Sequence, residues 1–253
     1  MTLVNVENRS GVAILTLDDP GRRNALSLDL NAELIDAVAA AERDAEISAI
    51  VVTGAPPAFC AGADLSQLGE SRRDGLEAIY AGFLAVADTP LPTIAAVNGA
   101  AVGAGMNLAL ACDLRLAGAS ARFDTRFLSL GIHPGGGHTW MMNGIIGSQA
   151  TMATVLFGEV LDATQAERVG LVWRTVPDDD LLDVAIELAG RAGRGGRELA
   201  IRAKNSIRDA SQALNHPSAV ASELEVQLWS MDQPAFAERL AAMKARISSS
   251  DKS

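Results

Sequence analysis

Between Asp88 and Asp113 the chain carries no charged side chain. A stretch this long and this apolar must either cross a membrane or be buried inside a protein. Its Gly99 and Gly103 make a small-xxx-small pair of the kind that packs membrane helices. Pro90 and Pro92 at its start, Asn98 and Asn107 within it and acidic flanks at both ends argue the other way, because a spanning helix carries positive flanks on the cytoplasmic side. The residues suit a buried strand, TIAAV at 93–97, an Asn98-Gly99 turn, and a buried helix from about Gly103–Ala104 through Leu108 and Leu110.

The same rhythm extends along the first part of the chain. VAILTLDD (12–19) is short, β-branched and apolar, and Pro20, Gly21 and Asn24 then make a turn. Ser27 is placed to cap a helix running to about Asp44, with Leu30, Leu34, Ala37, Val38 and Ala41 on one face. AIVVTG (49–54) reads as a buried strand, 73–87 as a weaker helix, and LVWRTV (171–176) as a later apolar strand run. Strand and helix in alternation predict an α/β core with mostly parallel strands. From Leu181 onward the pattern is helical, His216 before Pro217 reads as a helix start, and the SSSDKS tail reads as disordered. No internal repeat is visible.

A chain of 253 residues, 49% of them hydrophobic, can bury a full core, and with 4% aromatics that core must be built from Ala, Val, Leu and Ile. The formal charge of −10 opposes nucleic acid and anionic membrane, so a polyanionic ligand would need a local arginine cluster. Cys60 and Cys112 form neither a CxxC nor a Cys/His pattern and read as buried structural thiols, which argues against a disulfide framework or a zinc site. The N-terminus MTLVNVENRSG has neither the basic nor the apolar region of a signal peptide, so a cytoplasmic location is expected.

Two small-residue segments carry the chemistry: AFCAGADL (58–65) and AAVNGAAVGAGMNLALACDLRLA (95–117). Small residues let a backbone approach a ligand closely. The first amides of the helix near Ala104 have no internal partner, and that end attracts a carboxylate, a phosphate or a developing oxyanion. Two such turns brought together would supply converging N–H donors, each worth about 2.7–4 kcal/mol to a transition state. Close packing of glycine-rich turns without a ligand is the plainer alternative. Gly99, Gly103 and Gly105 lack dinucleotide-binding spacing, and the absence of a Gly-Lys pair, a G-x-S-x-G elbow and an H-E-x-x-H run excludes a Walker loop, a serine hydrolase and a zincin.

These segments, together with PGRRNALS (20–27), ARFDTRFLSLGIHPGGG (121–137) and AERVGLVWRTVP (166–177), occur in an order and spacing that resembles the enoyl-CoA hydratase/isomerase (crotonase) family over about residues 3–247. The resemblance implies an α/β fold, a spiral of ββα turns over residues 1–195, with a helical trimerisation region over 196–253. It implies trimers or hexamers, acyl-CoA ligands in which coenzyme A is part of the substrate, no separate cofactor, and a place in fatty acid metabolism. By position, the oxyanion hole would be the N–H groups of Ala63 and Ala104. Arg22, Arg23, Ala61, Asp64, Leu65 and, more loosely, Arg246 would border the coenzyme A.

Where the family's hydratases place two glutamates, this chain has Asn107 and Phe127. Asn107 can hydrogen-bond water but cannot take its proton, and Phe127 can do neither. Asp124 and the histidines of the HPGGGH loop, His133 and His138, are the nearby titratable candidates, each with a structural role as its simpler account. Trp140, Met141 and Met142 are expected in an acyl pocket or the core. An enzyme of this family, a non-catalytic acyl-CoA binder, and a different crotonase-type reaction such as thioester hydrolysis all fit the sequence.

Overall fold

The computed structural model of the protein describes residues 2–64, 72–210, 213 and 215–250, with side chains as far as residue 244. Leu65 lies outside the described residues. The chain forms two compact units, Met1–Arg197 and Glu198–Ser253.

The first unit begins with a hairpin, β1 (Val4–Arg9) on β2 (Val12–Leu17), turned by Ser10 and Gly11 at positive φ. Ser27 accepts from the Leu30 N–H and starts α1 (Leu28–Arg43), a cap worth about 1 kcal/mol. β3 (Ala49–Gly54) then pairs parallel to β2. After a corner the chain makes β4 (Ala58–Cys60) and α2 (Arg72–Asp88). The order repeats with β5 (Thr93–Val97), β6 (Ala100–Val102) and α3 (Ala104–Ala111), and again with β7 (Leu114–Gly118), β8 (Arg122–Asp124) and α4 (His138–Val155), which breaks at Gly147. β9 (Leu161–Asp162), α5 (Ala163–Arg168), β10 (Arg174–Val176) and α6 (Leu181–Ala192) complete the unit.

Each turn of this spiral gives one strand to a six-stranded sheet, β1-β2-β3-β5-β7-β10, and the next to a four-stranded sheet, β4-β6-β8-β9. Pairing is parallel except for β1 with β2 and β8 with β9. The corners between the sheets are tight. A Cβ on Gly99 would lie 2.7 Å from the Pro57 carbonyl oxygen, and Asn98 donates to Gly54 O (2.7 Å) while accepting from Gly54 N (3.3 Å). Alternate residues Val12, Ile14, Ala49, Val51, Ile94, Ala96 and Leu116 face α6, whose Leu181, Ala185 and Ala189 are buried against them. The other face is also buried, as central strands covered on both sides require.

Three sequence expectations change. A repeating ββα unit exists although none was visible in sequence, because its second strands are three residues long and its copies are unevenly spaced. The hairpin strand β1 went unseen because only Val4 of its residues is buried. Ser248, Ser249 and Ser250 of the tail expected to be disordered belong to α9 (Pro234–Ser250), which follows α7 (Arg197–Ala210) and α8 (His216–Met231) in the helical unit, and the last three tail residues lie outside the described ones. There Asn215 caps α8 with His216 as its first residue, and the Arg202 guanidinium sits 4.0 Å from the Trp229 ring centre.

Candidate active site

The spiral places the end of β4 beside the start of α3. Gly105 permits this: a Cβ there would lie 2.2 Å from the Cys60 carbonyl oxygen. Gly62, at φ 108°, is also tightly placed, with a would-be Cβ 2.9 Å from Val102 O and 3.9 Å from Ala104 N. Leu26 N donates to Gly62 O (2.7 Å) and Asp64 N donates to Leu26 O (3.0 Å). In an extended segment successive residues point their polar groups to opposite sides, so the N–H of Ala63 faces away from Leu26. Ala104 opens α3 after Gly103 (φ 52°, ψ −115°), and its N–H lies ahead of the first intrahelical bond, Asn107 N to Gly103 O. Among the described residues neither N–H has a partner, and both Ala63 and Ala104 line one cavity of about 580 Å³.

The rest of the wall is mixed. Leu76, Ile79, Phe127, Leu130 and Ile132 supply apolar surface, and Arg72, Tyr80, Arg126, His133 and Asn107 supply polar groups. Among the described residues no Asp or Glu lines it. Tyr80, the chain's one tyrosine, was missed in sequence. A lone tyrosine within a weak helix was the available signal. Its hydroxyl sits so close to Gly135 that a Cβ there would come within 2.2 Å of it.

Asn107 is buried and held on both sides. Its Nδ2 donates to Gly135 O (2.9 Å), which leaves Oδ1 to accept from His138 Nδ1 (2.7 Å). That bond fixes the histidine tautomer with the proton on Nδ1 and a bare lone pair on Nε2. Nε2 is buried with no partner, the Phe127 ring stands edge-on to the imidazole at 4.9 Å, and burial pushes the His138 pKa from 6.5 down to about 4. His138 thus stands behind Asn107 and Phe127 and does not line the cavity, which displaces it from the acid/base position expected of it. Asp124 is displaced too: its carboxylate accepts from Arg126 Nε (2.9 Å) and is absent from the cavity wall.

The other sequence candidates divide. Ala61 lines the cavity and its N–H donates to Arg23 O (3.0 Å). Arg22 is tied to Asp19 (2.6 Å) and Asp64 (3.4 Å), whereas the exposed Arg23 has no ion pair among the described residues. Arg246 lies on α9 in the helical unit, with its side chain outside those described. Asn24, read only as a turn residue, is fully buried and donates to Ala55 O (2.8 Å) and Ala58 O (2.7 Å), tying the arginine turn to the β3–β4 corner. Cys60 and Cys112 are buried, and burial raises the Cys60 thiol to about 12. Met142 is in the core, but Trp140 is 81% exposed and borders no part of the cavity, against expectation.

A ββα spiral feeding two sheets is the crotonase fold, and known proteins agree. The family model described as enoyl-CoA hydratase/isomerase matches residues 7–244, and the chain belongs to that family of enzymes. It is 47% identical over 244 residues to a probable enoyl-CoA hydratase, EchA14, of Mycobacterium tuberculosis, covering 93% of this chain and 94% of that one. It is 36% identical over 231 residues to the 2,3-dehydroadipyl-CoA hydratase of Escherichia coli, covering 89% of each. The crystal structure of an enoyl-CoA hydratase from Bacillus anthracis superposes with a TM-score of 0.91 at 30% identity, covering 97% of both chains.

Proposed function

We propose that this protein binds an acyl-CoA thioester with its carbonyl oxygen between the N–H groups of Ala63 and Ala104. There it stabilises the enolate that forms when the neighbouring carbon loses or gains a proton. The observation that carries this reading is that Ala63 and Ala104 line one cavity and that their N–H groups have no partner among the described residues. Backbone donors cost no reorganisation as charge develops on the oxygen, and the dipole at the start of α3 favours the same charge. Leu76, Ile79, Leu130 and Ile132 suit an aliphatic acyl chain, as in fatty acid metabolism, and the arginine turn at 22–23 suits the phosphates of coenzyme A. Coenzyme A enters as part of the substrate, and no separate cofactor is invoked.

The reaction class follows the family, a hydratase or isomerase. The resemblance assigns the two glutamate positions to Asn107 and Phe127, so the two-carboxylate route to hydration has no donor and acceptor pair on the described wall. That absence also favours a second reading, a thioester binder without turnover.

Association into homotrimers or hexamers in the cytoplasm is part of the proposal. Its support is the apolar surface of a single chain, with Trp140, Phe157 and Trp173 exposed at 81%, 80% and 69%. No helix among the described residues is long and apolar enough to cross a membrane.

Calorimetric titration with crotonyl-CoA, butyryl-CoA and free coenzyme A, with mass spectrometry of the products, tests the proposal. Thioesters should bind more tightly than coenzyme A, and either crotonyl-CoA should be hydrated or its 3-enoyl isomer, added to the panel, should be converted to crotonyl-CoA. Binding without any product would select the non-catalytic reading, and no binding of any thioester would refute both.

A further inference from the structure

We propose that His133, through Nε2, is the group that takes and returns the proton at the carbon beside the thioester carbonyl. The inference rests on the cavity being a thioester site. Of the described wall residues, Arg72, Tyr80, Arg126 and His133 are titratable. A guanidinium has no lone pair to accept a proton and a phenol is a weak base, whereas a neutral imidazole carries a ring-nitrogen lone pair that accepts one.

The geometry of the glycine loop prepares His133 for this task. Its Nδ1 lies 2.7 Å from Pro134 O, and a carbonyl only accepts, so Nδ1 carries the proton and the lone pair is on Nε2. The same loop is anchored on the cavity floor one residue beyond Pro134, where Gly135 O receives Asn107 Nδ2. The competing groups are occupied. His138 is buried behind Asn107, and the Asp124 carboxylate is bound by Arg126.

In the proposed step the carbon–hydrogen bond breaks and its electron pair becomes the carbon–carbon double bond of the enolate. The carbonyl pair moves onto the oxygen held by Ala63 and Ala104, and the proton arrives on Nε2 to give an imidazolium. Return of the proton to the same carbon regenerates the substrate. With a 3-enoyl thioester, return to the γ-carbon shifts the double bond into conjugation, and no other reactant is consumed.

The test is deuterium uptake by butyryl-CoA in heavy water, read by mass spectrometry on the full chain, with binding measured separately. The wild type should incorporate deuterium at the α-carbon. His133→Gln should lose the exchange rate by about 10²-fold or more while its butyryl-CoA affinity stays within about threefold. The proposal is overturned if the wild type binds the thioester without exchange or if His133→Gln exchanges at the wild-type rate. Failure of the wild type to bind butyryl-CoA would instead remove the thioester site itself, and this step with it. Because His133 is exposed, thermal unfolding of the glutamine variant should match the wild type.

Discussion

The imidazole of His138 occupies a place where a charge cannot be tolerated. It is 1% exposed, its Nδ1 proton is committed to Asn107, and Nε2 faces protein without a partner. Its pKa falls from 6.5 to about 4 on folding because burial penalises the imidazolium. At pH 7 the ring is neutral in the folded chain and mostly neutral in the unfolded one, so this group adds little pH dependence there. As pH drops below about 6.5 the unfolded chain takes up a proton that the folded chain refuses, so stability is lost progressively until about pH 4. The loss attached to this one group is about 3 kcal/mol at most. Urea unfolding at pH 7 and pH 4.5 should therefore show a smaller acid destabilisation in His138→Gln than in the wild type. Equal losses in the two proteins would mean that His138 is not buried neutral.

At the scale of the element, the site depends on how closely α3 approaches β4. Gly105 sets that distance, since a methyl group there meets the Cys60 carbonyl oxygen at 2.2 Å. Gly105→Ala should push the start of α3 away and separate the Ala104 N–H from that of Ala63. Overpacking of this kind costs about 1–3 kcal/mol, so the variant should remain folded by circular dichroism. Its affinity for butyryl-CoA should fall by about tenfold, the worth of one hydrogen bond. Unchanged affinity would place the thioester elsewhere.

The elements differ in how much of this could be read in advance. TIAAV, AIVVTG and the Ser27-capped helix declare themselves because burial and capping leave a local pattern. The small-residue turns could be placed at the ends of strands, and the two alanines line one cavity. Strands of two or three residues such as β4, β6, β8 and β9 are too short to show a period, so the second sheet and the ββα repeat stayed hidden. The Asn107–His138 bond joins residues far apart in sequence through the glycine loop, whose backbone is fixed by tertiary contacts, with Gly136 and Gly137 at positive φ. The same is true of Tyr80 over Gly135.

For the molecule as a whole, a single chain leaves large apolar side chains in water. Trp140 begins one end of α4, and Met152, Leu156 and Phe157 follow at its other end, all more than half exposed. Such a surface is expected to be covered by another copy of the chain. Light scattering coupled to size exclusion should report a trimer or hexamer for the wild type. Phe157→Asp, which would bury a charge in that contact, should shift the population toward monomer. A wild type that is monomeric at micromolar concentration would contradict the proposed assembly.

Two backbone N–H groups form the proposed grip, and no substitution short of proline removes them directly. The carbonyl they are proposed to hold can be observed instead, by isotope-edited infrared difference spectroscopy of butyryl-CoA labelled with carbon-13 at the thioester carbon. Hydrogen bonds from Ala63 and Ala104 weaken the carbonyl bond, so the stretch of the bound thioester should move to lower frequency than in water. Gly105→Ala should reverse much of that shift. A bound thioester whose carbonyl stretch stays at its solution value, or moves to higher frequency, would contradict the grip.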